Sequence, residues 1–255
     1  MDINKKVVIV SGGASGLGLV TCLQLVQKGA QIAIFDLNQE AGEALVDQLN
    51  GHAIFVNVDV TNTAAVEAGI AKVVDHFGAI HVCINCAGVA PSGKTLGRHG
   101  VLSLQAFSQV ININLLGTFN VLRLAAEQMA KNEPNEDGER GVIINTSSVA
   151  AYDGQVGQAA YAASKAGIVG MTLPVARDLA NLGIRVMTIA PGIFDTPMMK
   201  EMSDEVRDPL IKMVQHPKRF GNPQEYASLA AHIIRNSYLN GDVIRLDGAI
   251  RMAPR

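Results

Sequence analysis

The chain has 255 residues, 48% of them hydrophobic, and 21 basic against 23 acidic side chains give a formal net charge of −2. That length and composition fit one α/β domain able to bury a continuous core. The balanced charge, with no basic stripe, excludes an electrostatic nucleic-acid binder, and no apolar run reaches the ~18 uncharged residues of a membrane span.

The N-terminus, Met1-Asp2-Ile3-Asn4-Lys5-Lys6, enters the first strand at once and leaves no room for a cleaved signal. Val7–Val10 is a short buried strand, and it runs into Ser11-Gly12-Gly13-Ala14-Ser15-Gly16-Leu17-Gly18 and then an amphipathic helix over about 17–28. Strand, glycine turn and helix is the context of a dinucleotide site: Gly12, Gly16 and Gly18 let the backbone approach a pyrophosphate, and the helix N-terminus offers free N–H groups. The spacing G-x-x-x-G-x-G departs from the commoner G-x-G-x-x-G, and a ligand-free tight turn is the alternative. The second strand, 31–36, ends in Asp36, 18 positions after Gly18. A carboxylate there accepts ribose hydroxyls and repels a 2′-phosphate, and neither Leu37 nor Ser15 supplies a compensating cation, so the cofactor read from these residues is NAD rather than NADP. Asn38, before Gln39-Glu40, is the helix N-cap.

Further strands are predicted near 53–59, 81–86, 141–147, 184–190 and 241–246, with helices between them. Their apolar runs suit a parallel sheet covered on both faces, and right-handed crossovers make it a doubly wound, Rossmann-type sheet of seven strands in a single domain, 1–255. Cys83-x-x-Cys86 superficially matches a redox or zinc pair. No second ligand pair exists, however, and the histidines at 52, 76, 81, 99, 216 and 232 lack ligand spacing, so no metal is expected. With Cys22 the cysteines number three and point to a reducing compartment. The expected location is the cytoplasm, or the mitochondrial matrix in a eukaryote. The stretch Ser92 to Gly100 is basic and glycine-rich, and Lys94 and Arg98 are candidate partners for phosphates. A solvated loop is the alternative.

Tyr161 and Lys165 lie four residues apart, which stacks a phenol and an ammonium on one helix face, where the cation favours the phenolate. A tyrosine so placed acts as a general acid or base near neutral pH. Ser148 follows the fifth main strand, Pro191-Gly192 closes the sixth, and a methionine-rich segment follows over about 193–220 (Met198, Met199, Met202, Met213).

Together these motifs resemble the short-chain dehydrogenase/reductase family along almost the whole chain. Besides the glycine turn and Tyr161/Lys165, the family-like segments are Asp59-Val60, Asn85-Cys86-Ala87-Gly88, Asn114 in Ile113-Asn114-Leu115-Leu116-Gly117, Ser147-Ser148 and Pro191-Gly192. Ser11 stands where the family usually has threonine, and Cys86 replaces a common asparagine. The runs 117–121, 141–146, 154–161 and 244–252, with the segments 132–140 and 90–104, further resemble a branch acting on 3-hydroxyacyl thioesters of coenzyme A.

The resemblance implies oxidation of a secondary alcohol, (S)-3-hydroxyacyl-CoA to 3-oxoacyl-CoA, with Tyr161 as acid/base and Ser148 as donor to the reacting oxygen. Ser148 is preferred to Ser147 because it lies 13 residues before Tyr161. Lys165 also reaches the nicotinamide ribose, Thr196 the carboxamide region, and Asn114 holds a water relay beside the lysine; read alone, Asn114 would be a structural bend or a buried hydrogen bond. Ser148, Gln155 and Tyr161 contact substrate, and the cofactor set extends to Ser15, Leu17, Leu37, Cys86, Gly88, Pro191 and Gly192. Segment 193–220 is the substrate lid, with an ordinary surface helix as the alternative. The family's habit is a homotetramer paired through helices near 105–131 and 158–180, where Phe107, Leu115, Leu122 and Met171 either make that contact or face the sheet. A hydroxysteroid or other hydrophobic alcohol is the alternative substrate, and a catalytically idle NAD-binding scaffold the alternative function.

Overall fold

The computed structural model describes every residue except His99, Pro197, Met198, Lys200, Glu201, Met202 and Arg255, and the side chains of Asp204 and Val206. Its organisation follows from alternation along the strands. In β1 (Val7–Ser11), Val8 and Val10 enter one core while Val7 and Ile9 enter another. In β2 (Gln31–Asp36), Ile32 and Ile34 oppose Ala33 and Phe35 in the same way. Successive side chains on a strand point to opposite faces, so a strand apolar at every position needs cover on both.

Helices supply that cover. On one face α1 (Gly16–Val26) and α2 (Gln39–Gln48) contribute Cys22, Leu25 and Leu45. On the other, α3 (Thr63–Phe77) contributes Val66, Ile70 and Val73. The expected long helix near 105–131 is α4 (Leu104–Ile111), a π-helical segment Asn112–Leu116, and α5 (Gly117–Met129) in direct succession. Next come α6 (Ala159–Ala180), α7 (Asp204–Met213) and α8 (Pro223–Arg235). Tyr226 of α8 is fully buried against the first face.

The remaining main strands are β3 (Ala53–Asn57), β4 (Val82–Asn85), β7 (Gly141–Thr146), β8 (Ile184–Pro191) and β9 (Val243–Leu246). All pairings are parallel, in the order β3-β2-β1-β4-β7-β8-β9. The chain winds outward to β3 from β1, then restarts at β4 on the other side. That reversal leaves a crevice at the carboxyl ends of β1 and β4, the place where open α/β sheets bind ligands.

Two differences from the sequence reading matter. The third strand stops at Asn57; the Val58 amide makes a last bond to the Asp36 carbonyl at 3.2 Å, and Asp59 is left free of the ladder at the crevice. The basic stretch 92–100 is not a plain loop: β5 (Leu96–Gly97) and β6 (Gly100–Val101) form an antiparallel pair. Gly100 there has φ +105, a conformation that side-chain-bearing residues rarely adopt.

Candidate active site

The glycines of the first turn have separate tasks. Gly12 takes φ +65 and packs so closely on the strand-four loop that a Cβ would come 2.7 Å from the Ala87 amide nitrogen. Gly18 lies against the Gly12 carbonyl with no room for a side chain. Gly16, at φ +53, meets only the Thr196 methyl at 3.9 Å and faces open space. Ser15, the N-cap of α1, makes no side-chain cap bond and the first turn has no acid, so its N–H groups remain available to an anion.

Asp36 ends β2 beside this turn. One carboxylate oxygen accepts from the Ala14 amide at 3.0 Å and the other from the Asn38 amide at 3.0 Å, while Asn38 caps α2 through Ala41. The carboxylate thus braces the glycine loop and keeps lone pairs for hydroxyl donors. Asp59 accepts from the Thr61 amide and hydroxyl, which fixes the edge loop next to Val60.

Across the crevice, the first turns of α6 bring Tyr161 and Lys165 beneath the end of β7. Ser147 and Ser148 diverge. The Ser147 hydroxyl is buried and donates to the Lys165 carbonyl at 2.8 Å, whereas Ser148 accepts from the Ala150 amide at 3.1 Å and lines the cleft together with Tyr161. Lys165 is buried; its Nζ donates to the Thr146 carbonyl at 2.9 Å and lies 5.8 Å from the Tyr161 ring centre. An ammonium has three donors, so two remain.

Electrostatics here depart from the expected lowering of the phenol by its cationic neighbour. Burial pushes the Tyr161 phenol above its ordinary value, and the nearby Ser148 hydroxyl only partly offsets this. Burial likewise drops Lys165 to about 8. The ammonium is directed at a carbonyl, and its charge is itself costly where it stands.

One cleft of about 1570 Å³ joins these parts. It is lined by Gly12, Ser15, Gly16, Leu17, Gly18, Asp36, Leu37, Asp59, Val60, Cys86, Ala87, Gly88, Ser148, Tyr161, Lys165, Pro191, Gly192 and Thr196. Drug-sized pockets reach about 1,000 Å³, so there is room for a dinucleotide and a substrate together. Two expected contacts lie elsewhere. Gln155 lines a separate small cavity with Lys94, and its amide donates to the Ala253 carbonyl at 2.9 Å. Asn114 is fully buried behind the cleft, exchanging bonds with both the amide and carbonyl of Val89 and donating to Ser164 at 3.0 Å. It touches the site through Gly88, where a Cβ would stand 3.2 Å from the Asn114 amide oxygen and 3.5 Å from Lys165 Nζ.

Gln158, Ile193, Phe194 and Met252 also line the cleft and were not singled out from sequence. Gln158 precedes α6 three residues before Tyr161, a spacing that could have flagged it; Met252 carries no such signal. Of the lid methionines, Met199 lines the cleft, Met213 packs near Val149, and Met198 and Met202 lie outside the described residues, as does His99. Cys83 and Cys86 do not pair: they serve opposite faces of the sheet, and burial pushes Cys83 to about 12 and Cys86 upward. Among the described residues no group of three or more metal-binding side chains occurs, and no helix is long and apolar enough to cross a membrane.

A nucleotide cradle at one end of a cleft and a buried acid/base pair at the other are what a nicotinamide-dependent dehydrogenase requires, and the chain belongs to that class through the short chain dehydrogenase family, whose model matches residues 6–207. It is 54% identical over 255 residues to 3-hydroxyacyl-CoA dehydrogenase type-2 of Bos taurus, covering 99% of this chain and 98% of that protein. The Drosophila melanogaster protein of the same name is 50% identical over 254 residues, covering 99% of this chain and all of its own. A crystal structure of 3-hydroxyacyl-CoA dehydrogenase type-2 from Mycobacterium avium matches with a TM-score of 0.94 at 42% identity, over 98% of this chain and 97% of that one.

Proposed function

We propose that this enzyme oxidises (S)-3-hydroxyacyl-CoA to 3-oxoacyl-CoA with NAD. The observation that carries the chemistry is the meeting of Ser148, Tyr161 and Lys165 at one cleft whose other end holds the glycine turn and Asp36. The substrate class is taken from relatives more than 50% identical over nearly the full chain.

Gly12, Gly16 and Gly18 with the α1 N-terminus hold the pyrophosphate, Asp36 the adenosine ribose, and Lys165 and Thr196 the nicotinamide half. When bound, NAD supplies the acceptor for the hydride lost from the carbinol carbon. Ser148 donates to the substrate oxygen and stabilises charge on it, and Tyr161 takes the hydroxyl proton as the carbonyl forms. Lys165 favours the phenolate in the loaded site, and Asn114 acts as a positioning residue that holds the Val89 loop against it. The segment 193–220 serves as the lid, supported by the place of Ile193, Phe194, Thr196 and Met199 on the cleft wall. The assembly is a homotetramer.

Initial rates with NAD and with NADP over a panel of 3-hydroxyacyl-CoAs and hydroxysteroids test this reading. Turnover of the thioesters supports it. Preference for steroids would move the substrate class, and no reduction of NAD with any alcohol would leave a cofactor-binding scaffold.

A further inference from the structure

Past Ser148 the chain enters a small third core that belongs to neither face of the sheet. Val149, Val214 and Ile250 are buried together, with Ile193, Met213 and Met252 packed around them. These residues come from distant parts of the sequence: the 3₁₀ turn after Ser148, the ends of β8 and α7, and the segment that follows β9.

That last segment is fastened to the other two. The Gly248 carbonyl accepts from the amides of Gln215 and His216 at 3.0 and 3.2 Å, on the lid side. Gly248 has φ +58, and a Cβ there would come 2.7 Å from Val214, so the two strands of chain can be no closer. On the catalytic side, Gln155 and the Val156 amide bond the carbonyls of Ala253 and Pro254 at 2.9 and 3.0 Å, and Arg245 joins Asp153 at 2.7 Å to Asp247 at 2.8 Å. Residues 245–254 thus strap the lid exit to the loop that carries Ser148.

Three members of this core, Val149, Ile193 and Met252, also line the cleft. The polar cleft residues Asp36 and Asp59 belong to the β2 and β3 side, whereas Val149 directly follows Ser148. A substrate whose alcohol oxygen is held at Ser148 therefore has its apolar part beside an apolar wall with a packed backing. Val149 is buried and Ile193 is tied to the end of β8, but Met252 is half-buried on an unbranched side chain, the adaptable member of the wall.

We propose that Met252, backed by Ile250 and Val214, is the end wall for the acyl chain and sets the chain length the enzyme accepts. The inference rests on the hydroxyacyl thioester reading above and gives that substrate's tail a place in the fold.

The test is kcat/KM across a homologous series of straight-chain 3-hydroxyacyl-CoAs, with 2-alkanols of rising length as a parallel series, for the unaltered enzyme, Met252→Ala and Met252→Phe. Removing three heavy atoms should lengthen the optimum by about two or three carbons, and filling the space with a ring should shorten it, each changing the long-to-short selectivity by at least ~10-fold, the scale of one methylene in an apolar pocket. Opposite shifts from the two variants cannot come from general loss of folding, which lowers every length alike. Profiles that keep their optimum, or fall uniformly, overturn the proposal. Should the unaltered enzyme oxidise alkanols but no CoA thioester, the hydroxyacyl reading fails and the alkanol profiles still decide the role of Met252. Inactivity on both series removes the two together.

Discussion

At the scale of the residue, Tyr161 combines two opposing influences. Burial raises its pKa in the free protein, which keeps the proton on the phenol, while Lys165 and an oxidised nicotinamide favour the phenolate once the site is loaded. Alcohol oxidation needs the deprotonated form, so its kcat/KM should climb with pH into the alkaline range, and carbonyl reduction should fall over the same range. Tyr161→Phe keeps the ring and loses the transferable proton; kcat should drop by at least ~100-fold while cofactor binding, followed by fluorescence titration, survives. Near-normal turnover in that variant would remove Tyr161 from the mechanism. Asp36 gives a second test: NAD should be favoured over NADP by about 100-fold, near 3 kcal/mol, and Asp36→Ala should shrink the ratio mainly by weakening NAD. Because Asp36 also accepts from the Ala14 amide, the variant should loosen the glycine loop as well. Tyr161, Lys165 and Asp36 were legible in the sequence because each is fixed by local geometry, a helix repeat or a strand end. The direction of the Tyr161 shift was not, since burial depends on what the remainder of the chain stacks over the site.

At the scale of the element, legibility follows the same division. The strands of the main sheet were readable because two buried faces demand an unbroken apolar run, and their errors lie at the ends, where the ladder stops for tertiary reasons. The β5–β6 pair escaped because two-residue strands rich in glycine carry no periodic pattern. Gln155 was misplaced for a related reason: its proximity to Tyr161 in sequence says nothing of the Ala253 carbonyl that captures its side chain. The π-helical segment Asn112–Leu116 was likewise invisible, yet it is where Asn114 meets the Val89 loop and Ser164. Asn114→Leu should therefore lower kcat more than it raises KM for NAD, which initial-rate kinetics would show. The lower end of the sheet has its own pH signature. The Val7 amide, at the start of β1, donates to His81 Nδ1 at 3.2 Å, and burial, helped by Lys6, lowers the imidazole to about 4. A group depressed on folding binds its proton more readily in the unfolded chain, so stability is complete above pH 6.5 and declines as pH falls from there toward about 4. His81→Asn, which keeps an acceptor but cannot titrate, should flatten that part of the melting-temperature profile.

At the scale of the whole molecule, the question is what covers the outer surface of the helices that carry the site. Leu122 is buried in the core, and Leu115, half-buried, packs over Gly167 of α6. The outward apolar positions on the same stretch are Leu116 and Phe119, 54% and 45% exposed, with Leu173 of α6 at 44%. Leu116 and Phe119 also border the cofactor cleft, so these two form an exposed apolar strip at its rim, on one of the helices through which the proposed tetramer pairs. Two such helices against two from a second copy would make an isologous contact, in which each side chain meets its own symmetry partner or a near neighbour, and a stable contact of this kind buries about 1,600 Å². Light scattering at micromolar concentration should accordingly give four times the mass of the chain. Leu116→Asp with Phe119→Asp puts carboxylates opposite one another across that contact, and like charges in a desolvated interface should lower the mass. Since both side chains line the cleft, the lower-mass form should also bind NAD more weakly. A monomeric mass for the unaltered protein would overturn the tetramer and leave the strip without its partner.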